Sequence, residues 1–322
     1  MKFRPLLKYA LAAAAVIVTF SPTFANCPAQ SVPAPAGLVA WWPANSNAVD
    51  VAGGNNGTLT NGVAYVPGEV EEAFDPTNDH AGVFIGNPPA LQLQNFTIEA
   101  WVKRATTAFT SDDPSANGGA AAIFYFGSQG YGMGMHSDGA ISLTKIDVDD
   151  VNDDAYGASI TDTDWHHVAV TKSNTVVSFY IDGVAYPSVT YTSIFQFTTP
   201  AAIGVRGDNI NANNNDSFAG AIDELSIYDR ALTPAEILAI YNAGSAGKYL
   251  TAPPDLGITS IGSVLQIDWP ATGSYTVKQT TNLAYPASWA NSTNVVNMSN
   301  GTNSITFTPP LTGNLFFRLA NP

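Results

Sequence analysis

The stretch at 218–242, FAGAIDELSIYDRALTPAEILAIYN, decides how the whole chain is read. Its first half, 221–228, predicts a strand, with Asp223 sharing the parity of Leu225 and Ile227 and so pointing to the apolar side. Its second half predicts a helix. Thr233-Pro234-Ala235-Glu236 combines an N-cap, a proline at the first helical position and a capping-box glutamate. Ile237, Leu238, Ile240 and Tyr241 follow at helical spacing, and Gly244 closes the segment.

Outward from this stretch the pattern is strand after strand. Segments 37–42, 122–127, 140–146, 165–172 and 176–181 read as short strands between turn residues. In 95–104, Phe96, Ile98, Ala100 and Val102 face one way, and Thr97, Glu99, Trp101 and Lys103 the other. Asp182-Gly183 is a hairpin turn signal, because both residues tolerate positive φ. Many short strands with one late helix predict an all-β, two-sheet antiparallel sandwich over 37–248. Pro253-Pro254 marks its end. Beyond it, 263–269, 275–280, 304–308 and 314–319 predict a small C-terminal β-module over 252–322.

The N-terminus reads as a processing signal. Lys2, Arg4 and Lys8 precede an apolar run at 10–20, and Thr23-Phe24-Ala25 offers small residues for cleavage after Ala25. The run is short for a bilayer span, so residues 1–25 are expected to be removed, leaving no membrane segment. Residues 26–36 read as a linker rich in proline and alanine. The single cysteine, Cys27, has no internal partner for a disulfide.

Charge separates the two domains. Between Asn26 and Thr251 lie 24 acidic against 7 basic residues, and from Ala252 onward two of each. So acidic a surface excludes nucleic acid as a partner and favours cations or neutral ligands.

The stretch at 218–242, together with LVAWW (38–42), NFTIEAWV (95–102) and WHHVAVTKSNTVVSFYI (165–181), closely resembles the laminin-G-like jelly-roll domains of the concanavalin A-like lectin/glucanase superfamily known from bacteria. The resemblance spans residues 37–248. It implies a jelly roll, a structural calcium in many members, and glycan or protein binding in some. The closing strand of the C-terminal module, with Leu315-Phe316-Phe317-Arg318-Leu319, looks like short modules that end extracellular bacterial proteins.

Several residues carry possible chemistry. A carboxylate pointing into an apolar layer is costly unless paired or metal-bound, and calcium takes oxygen ligands, so Asp223 is the first candidate ligand. The superfamily often places a calcium ligand at this strand position. Asp50 and Asn55, in the loop NAVDVAGGNNGT, are its expected companions. The acid-rich segment 147–154 (DVDDVNDD) lacks the central glycine and distal glutamate of a helix-loop-helix calcium site and reads as a solvated loop. Arg206-Gly207-Asp208 spells an adhesion tripeptide, a match frequent by chance. Trp41, Trp101, Tyr131 and Tyr156 are candidate sugar-stacking platforms, and Asn211 and Asn213 candidate hydrogen-bonding partners for sugar.

A glycosidase of this fold would need paired carboxylates. Glu99 stands alone on its strand, and strand parity places Asp223 and Glu224 on opposite faces. No catalytic residue is therefore assigned. The expectation is a secreted or cell-surface, lectin-like binding module, calcium-stabilised, for an extracellular glycan or glycoprotein. An adhesion scaffold that binds proteins and a glycoside hydrolase are the alternatives.

Overall fold

The alternation at 96–102 has the effect that a period of two dictates. Phe96, Ile98, Ala100 and Val102 enter a shared core, while Thr97, Glu99 and Trp101 lie on the opposite face of the sheet. The computed structural model describes residues 30–77, 80–111, 120–152, 159–208, 217–250, 256–261, 264–270, 276–281, 289–299, 301–307 and 315–320. The leader, Cys27, Tyr156, Asn211 and Asn213 lie outside the described residues.

In chain order the strands are β1 (Val32–Pro33), β2 (Leu38–Trp42), β3 (Thr58–Thr60), β4 (Ala64–Pro67), β5 (Glu72–Asp75), β6 (Gly82–Gly86), β7 (Phe96–Arg104), β8 (Ala121–Phe126) and β9 (Tyr131–Met135). Next come β10 (Ile141–Lys145), β11 (Asp149–Asn152), β12 (His166–Ser173), β13 (Val176–Ile181), β14 (Val184–Ala185), β15 (Val189–Thr190), β16 (Ala201–Ile203) and β17 (Gly220–Tyr228). Helix α1 (Pro234–Ala243) and β18 (Lys248–Tyr249) complete this part. A nine-stranded sheet runs β14-β13-β12-β7-β17-β5-β4, with β2 beside β17 and β15 beside β13. A seven-stranded sheet runs β11-β10-β9-β8-β16-β6-β3. Their inner faces share one core, in which Ile98, Val170 and Phe179 meet Phe124, Met133 and Leu143. This is the two-sheet jelly roll that the sequence predicts.

The C-terminal part is also all-β. It holds β19 (Gly257–Ile261), β20 (Val264–Pro270), β21 (Thr276–Thr280), β22 (Ala290–Asn291), β23 (Asn297–Ser299), β24 (Thr302–Phe307) and β25 (Phe316–Ala320). They form sheets β19-β20-β24-β23 and β22-β21-β25 around their own core of Ile267, Trp269, Val277, Ile305, Phe307 and Leu319.

Two expectations change here. Within the expected linker, Val32–Pro33 is a strand, paired in parallel with Lys248–Tyr249. Val32 N donates to Gly247 O and Ala34 N to Tyr249 O. The second change lies in β17. Glu224 takes a positive φ of 57°, and the register with β7 shifts between Asp223 and Ser226. This β-bulge reverses the parity. Ile222, Leu225 and Ile227 face the core, whereas Asp223 pairs with Trp101 and Ser226 with Glu99 on the other face. Asp223 therefore does not point with Leu225 and Ile227.

That other face is closed by α1. Thr233 Oγ1 accepts from Glu236 N while Glu236 Oε2 accepts from Thr233 N, the expected capping box. Arg230 clamps Glu236 at 2.7 Å. Leu232, Ile237 and Ile240 cover Leu38, Ala169, Tyr180 and Tyr228. The Asp182-Gly183 turn adopts φ of 51° and 73°, as its sequence predicts, and packs on the helix: a Cβ on Gly183 would lie 2.7 Å from Leu238 Cδ1.

Beneath this cover lies a buried charge network. Lys248 Nζ sits 2.9 Å from Glu224 Oε2 and 3.3 Å from Glu99 Oε1. It also donates to Glu224 O at 3.1 Å, which fixes the bulge, and stands 4.7 Å above the Trp41 ring. His167 Nε2 lies 2.9 Å from Glu99 Oε2. Glu99 and His167 are fully buried. Burial pushes the Glu99 carboxyl up, but the Lys248 charge and the His167 hydrogen bond outweigh it and hold the group below its usual range. Removing one partner from a buried ion pair leaves the other charge uncompensated. Lys248→Met should cost about 3–5 kcal/mol in urea unfolding, and adding Glu99→Gln and Glu224→Gln should recover most of that loss. A Lys248→Met variant as stable as the parent would remove the network from the account of stability.

Candidate functional site

The outer face of the seven-stranded sheet carries a cleft of about 400 Å³. It is built on β8, β9, β10 and β11. Across these strands Tyr125 pairs with Gly132, Gly132 with Thr144, and Thr144 with Asp150. Ser142 pairs with Gly134. Since Phe124, Met133 and Leu143 fill the core, the residues alternating with them look outward. The glycines have a steric reason: a Cβ on Gly132 would collide with the Tyr125 ring, and one on Gly134 with its hydroxyl. The tyrosine lies flat along the sheet as a result, and its hydroxyl donates to Ala120 O at 3.1 Å.

Arg206 and three aspartates form the rim. Arg206 binds Asp147 through both terminal nitrogens, at 2.7 and 2.6 Å, and Asp208 through Nε at 2.6 Å. The Arg206 hydrogen bonds draw the Asp147 carboxyl below its usual range, against a smaller upward push from burial. Asp149 accepts from the hydroxyls of Tyr191 and Ser193, at 2.5 and 2.6 Å. Asp150 is the open acid, its side chain half exposed and 3.5 Å from His136 Nε2.

One reading changes in part. The described part of the acid-rich segment is exposed as expected, but Asp149–Asn152 is a strand paired to β10, with Asp147 tied to Arg206 and Asp149 to Tyr191 and Ser193. Within the tripeptide at 206–208, Arg206 and Asp208 are bonded to each other and Asp208 accepts from Ser128 N at 2.7 Å.

The sequence-selected residues fall elsewhere. Tyr131 is fully buried, stacked on Phe96 at 4.3 Å, with its hydroxyl donating to Leu91 O, so it is a core residue and no platform. Trp41 is buried beneath Lys248. Trp101 is 5% exposed, with its ring against His167 and Tyr241. Glu224 does not oppose Asp223 across the sheet. The bulge brings Asp223, Glu224 and Glu99 to one side, where all three are buried and Lys248 pairs with two of them.

Two of the three residues expected to hold calcium, Asp50 and Asn55, are engaged with each other and with backbone amides. Asp50 Oδ1 accepts from the backbone N–H of Trp41, Ala52 and Gly53, and Oδ2 from the backbone and side-chain amides of Asn55. A carboxylate has about four lone-pair sites, and N–H donors already occupy these. Asn55 Nδ2 points at the same acid, so this pair organises a loop. Asp223, the third, accepts from Val70 N through Oδ2, and its Oδ1 has no hydrogen-bond partner among the described residues. No group of three or more His, Cys, Asp or Glu side chains arranged to hold a metal occurs among the described residues.

The cleft residues Tyr125, Ser142, Thr144 and Arg206 are not legible as a site in the sequence. The available signal was the alternation of glycine in YGMGM (131–135) beside a strand ending in tyrosine and phenylalanine.

Burial pushes the Asp223 carboxyl up to about 8. The unfolded chain gives up this proton near pH 4, whereas the folded chain retains it to about pH 8. Stability should therefore fall as pH rises through this window and level off above it. Asp223→Asn keeps the acceptor for Val70 N and should flatten the slope, leaving the variant more stable than the parent at pH 8 in urea titrations at pH 5 and 8. A parent slope unchanged by the substitution would contradict this.

Comparison with known proteins agrees with this architecture. A family model for the concanavalin A-like lectin/glucanases superfamily matches residues 77–238. Adhesion G-protein coupled receptor V1 of Danio rerio is 24% identical over 204 residues, which cover 56% of this chain and 3% of the receptor. The chain thus spans a small fraction of that relative's length. Among solved structures, the binding domain of Paraclostridial Mosquitocidal Protein 1 aligns at a TM-score of 0.50 with 16% identity, covering 82% of this chain and 65% of that one. Domain 4 of AbnA, a GH43 extracellular arabinanase from Geobacillus stearothermophilus solved with arabinotriose, aligns at 0.49 with 23% identity, covering 63% and 97%. The likeness to the mosquitocidal protein is one of fold alone. Matched along half its length by the family model, the chain belongs to the concanavalin A-like lectin/glucanases superfamily.

Proposed function

We propose that this protein is a non-catalytic module that binds an extracellular glycan or glycoprotein in the cleft on the outer face of the seven-stranded sheet. The observation that carries the reading is the cleft's lining. Thr144 and Asp150, on β10 and β11, and His136 and Arg206, just beyond β9 and β16, bring donors and acceptors together at a cleft that Tyr125 and Ser142 also line. A sugar presents hydroxyls that both donate and accept, with apolar ring faces between them, and such a wall complements it. Rigid strands and the Arg206 clamp lower the ordering cost of binding.

The same geometry supports binding over hydrolysis. A glycosidase acid must hold a proton near neutral pH, and Asp147 is driven the other way by Arg206. The hydroxyls of Tyr191 and Ser193 occupy Asp149. The processing signal supports export to the cell exterior. Among the described residues no helix is long and apolar enough to cross a membrane.

The test is a glycan and polysaccharide array probed with the full chain, in millimolar calcium and again in chelator. We expect saturable binding to one glycan class in both conditions, weakened about tenfold by Asp150→Asn or Thr144→Ala through loss of a hydrogen bond to ligand. Loss of binding in chelator would restore a calcium-dependent site. A folded protein that binds no glycan but retains a protein partner would favour the scaffold reading. Glycan turnover abolished by a single carboxylate substitution would favour the hydrolase.

A further inference from the structure

A second pocket, of about 370 Å³, lies beside α1 at the covered face of the nine-stranded sheet. Its walls are Trp101, Trp165, Tyr241, Glu69, Asp182 and Asn242, with Gly244 at its edge. Trp101 and Tyr241 stand 5.8 Å apart with their planes 32° from parallel. The lining holds no lysine or arginine. Glu69 is half-buried, without a hydrogen-bond or ion-pair partner among the described residues, and burial raises its pKa. Asp182 is engaged differently: its Oδ2 lies 2.7 Å from His166 Nδ1, and Asp162 Oδ1 lies 2.9 Å from the other ring nitrogen. The hydrogen bond to Asp182 leads in raising His166, to about 9, with burial opposing. Two acids thus flank this one ring.

Aromatic rings sharing a pocket with an uncompensated carboxylate make a poor environment for anions. They complement a cation that is large, weakly hydrated and rich in C–H groups. Ring faces attract such a charge through their quadrupoles, and the carboxylate supplies the opposite full charge. We propose that this pocket binds an organic ammonium group, quaternary or N-methylated, set against Trp165 and Tyr241, with Trp101 backing Tyr241 and Glu69 as the counter-charge. A small inorganic cation would forfeit too much hydration among the rings, and a neutral sugar would leave Glu69 without its counter-ion. The pocket is separate from the cleft on the seven-stranded sheet, and the two share no residue.

The experiment titrates the full chain with choline and with tetramethylammonium, following tryptophan fluorescence. The neutral isostere 3,3-dimethylbutan-1-ol, potassium chloride and a set of neutral monosaccharides serve as the other arms. Both ammonium ions should give a saturable change, and the isostere should bind about tenfold more weakly or less. Glu69→Gln should weaken choline binding about tenfold without altering the far-ultraviolet circular dichroism, and Trp165→Ala should abolish it. Asp150→Asn, in the other cleft, should leave it unchanged. Equal binding of choline and its isostere, a saturable monosaccharide response lost in Trp165→Ala, or no response from either ammonium ion would overturn the proposal. If Trp165→Ala does not fold, the isostere and Glu69→Gln arms decide it.

Discussion

One lysine holds the polar side of the nine-stranded sheet together. Lys248 arrives from beyond the helix and places its ammonium between Glu99 on β7 and Glu224 on β17. Two carboxylates buried side by side would repel each other and lose their hydration. With the ammonium between them they become a clasp that joins neighbouring strands to the segment after α1. The clasp also accounts for a backbone anomaly. Glutamate at a φ of 57° is unfavourable by about 1–3 kcal/mol, and here the carbonyl and the carboxylate of the same residue both bond to Lys248. The bulge, the buried charges and the docking of the chain after the helix therefore stand or fall together.

Much of the architecture was legible because local chemistry and tertiary structure agree. The alternation in β7 fixed its two faces, Asp182-Gly183 its turn, and Thr233 with Glu236 the start of α1. Disagreement arises where a long-range contact overrides a local pattern. Nothing in AIDELSIY announces a bulge at Glu224, since glycine is the usual residue there and the compensating lysine is distant in sequence. Simple parity then sends Asp223 to the wrong face and separates it from Glu224. Asp50 misled for a related reason: an acid in a loop rich in asparagine and glycine suits a cation and a set of backbone amides equally well, and only the coordinates show five N–H groups around it. Aromatic residues were the least informative. Tyr131 and Tyr125 lie on adjacent strands, but one fills the core while the other lies over glycines on the outside.

The two faces of the sandwich thus follow different strategies. The seven-stranded sheet buries Ala122, Tyr125 and Ile146 on its outer face and carries beside them a cleft with Thr144, Asp150 and a clamped arginine. The nine-stranded sheet hides its outer face beneath a helix, and stores there the acids that a sequence search for catalytic pairs would select. Burial withdraws those acids from solvent, and Lys248 pairs with Glu99 and Glu224. What remains accessible beside the helix is aromatic.

The pairing of Val32–Pro33 with Lys248–Tyr249 bears on how the domain would carry load. The two strands run in the same direction, so tension applied to the chain before Val32 and after Tyr249 slides one strand along the other. Its hydrogen bonds would be stressed together instead of peeled one at a time, and Lys248, anchored in the sheet by two carboxylates, lies directly in the line of force. A domain whose two ends meet in this way can be threaded into a longer chain as a bead that transmits tension past its core.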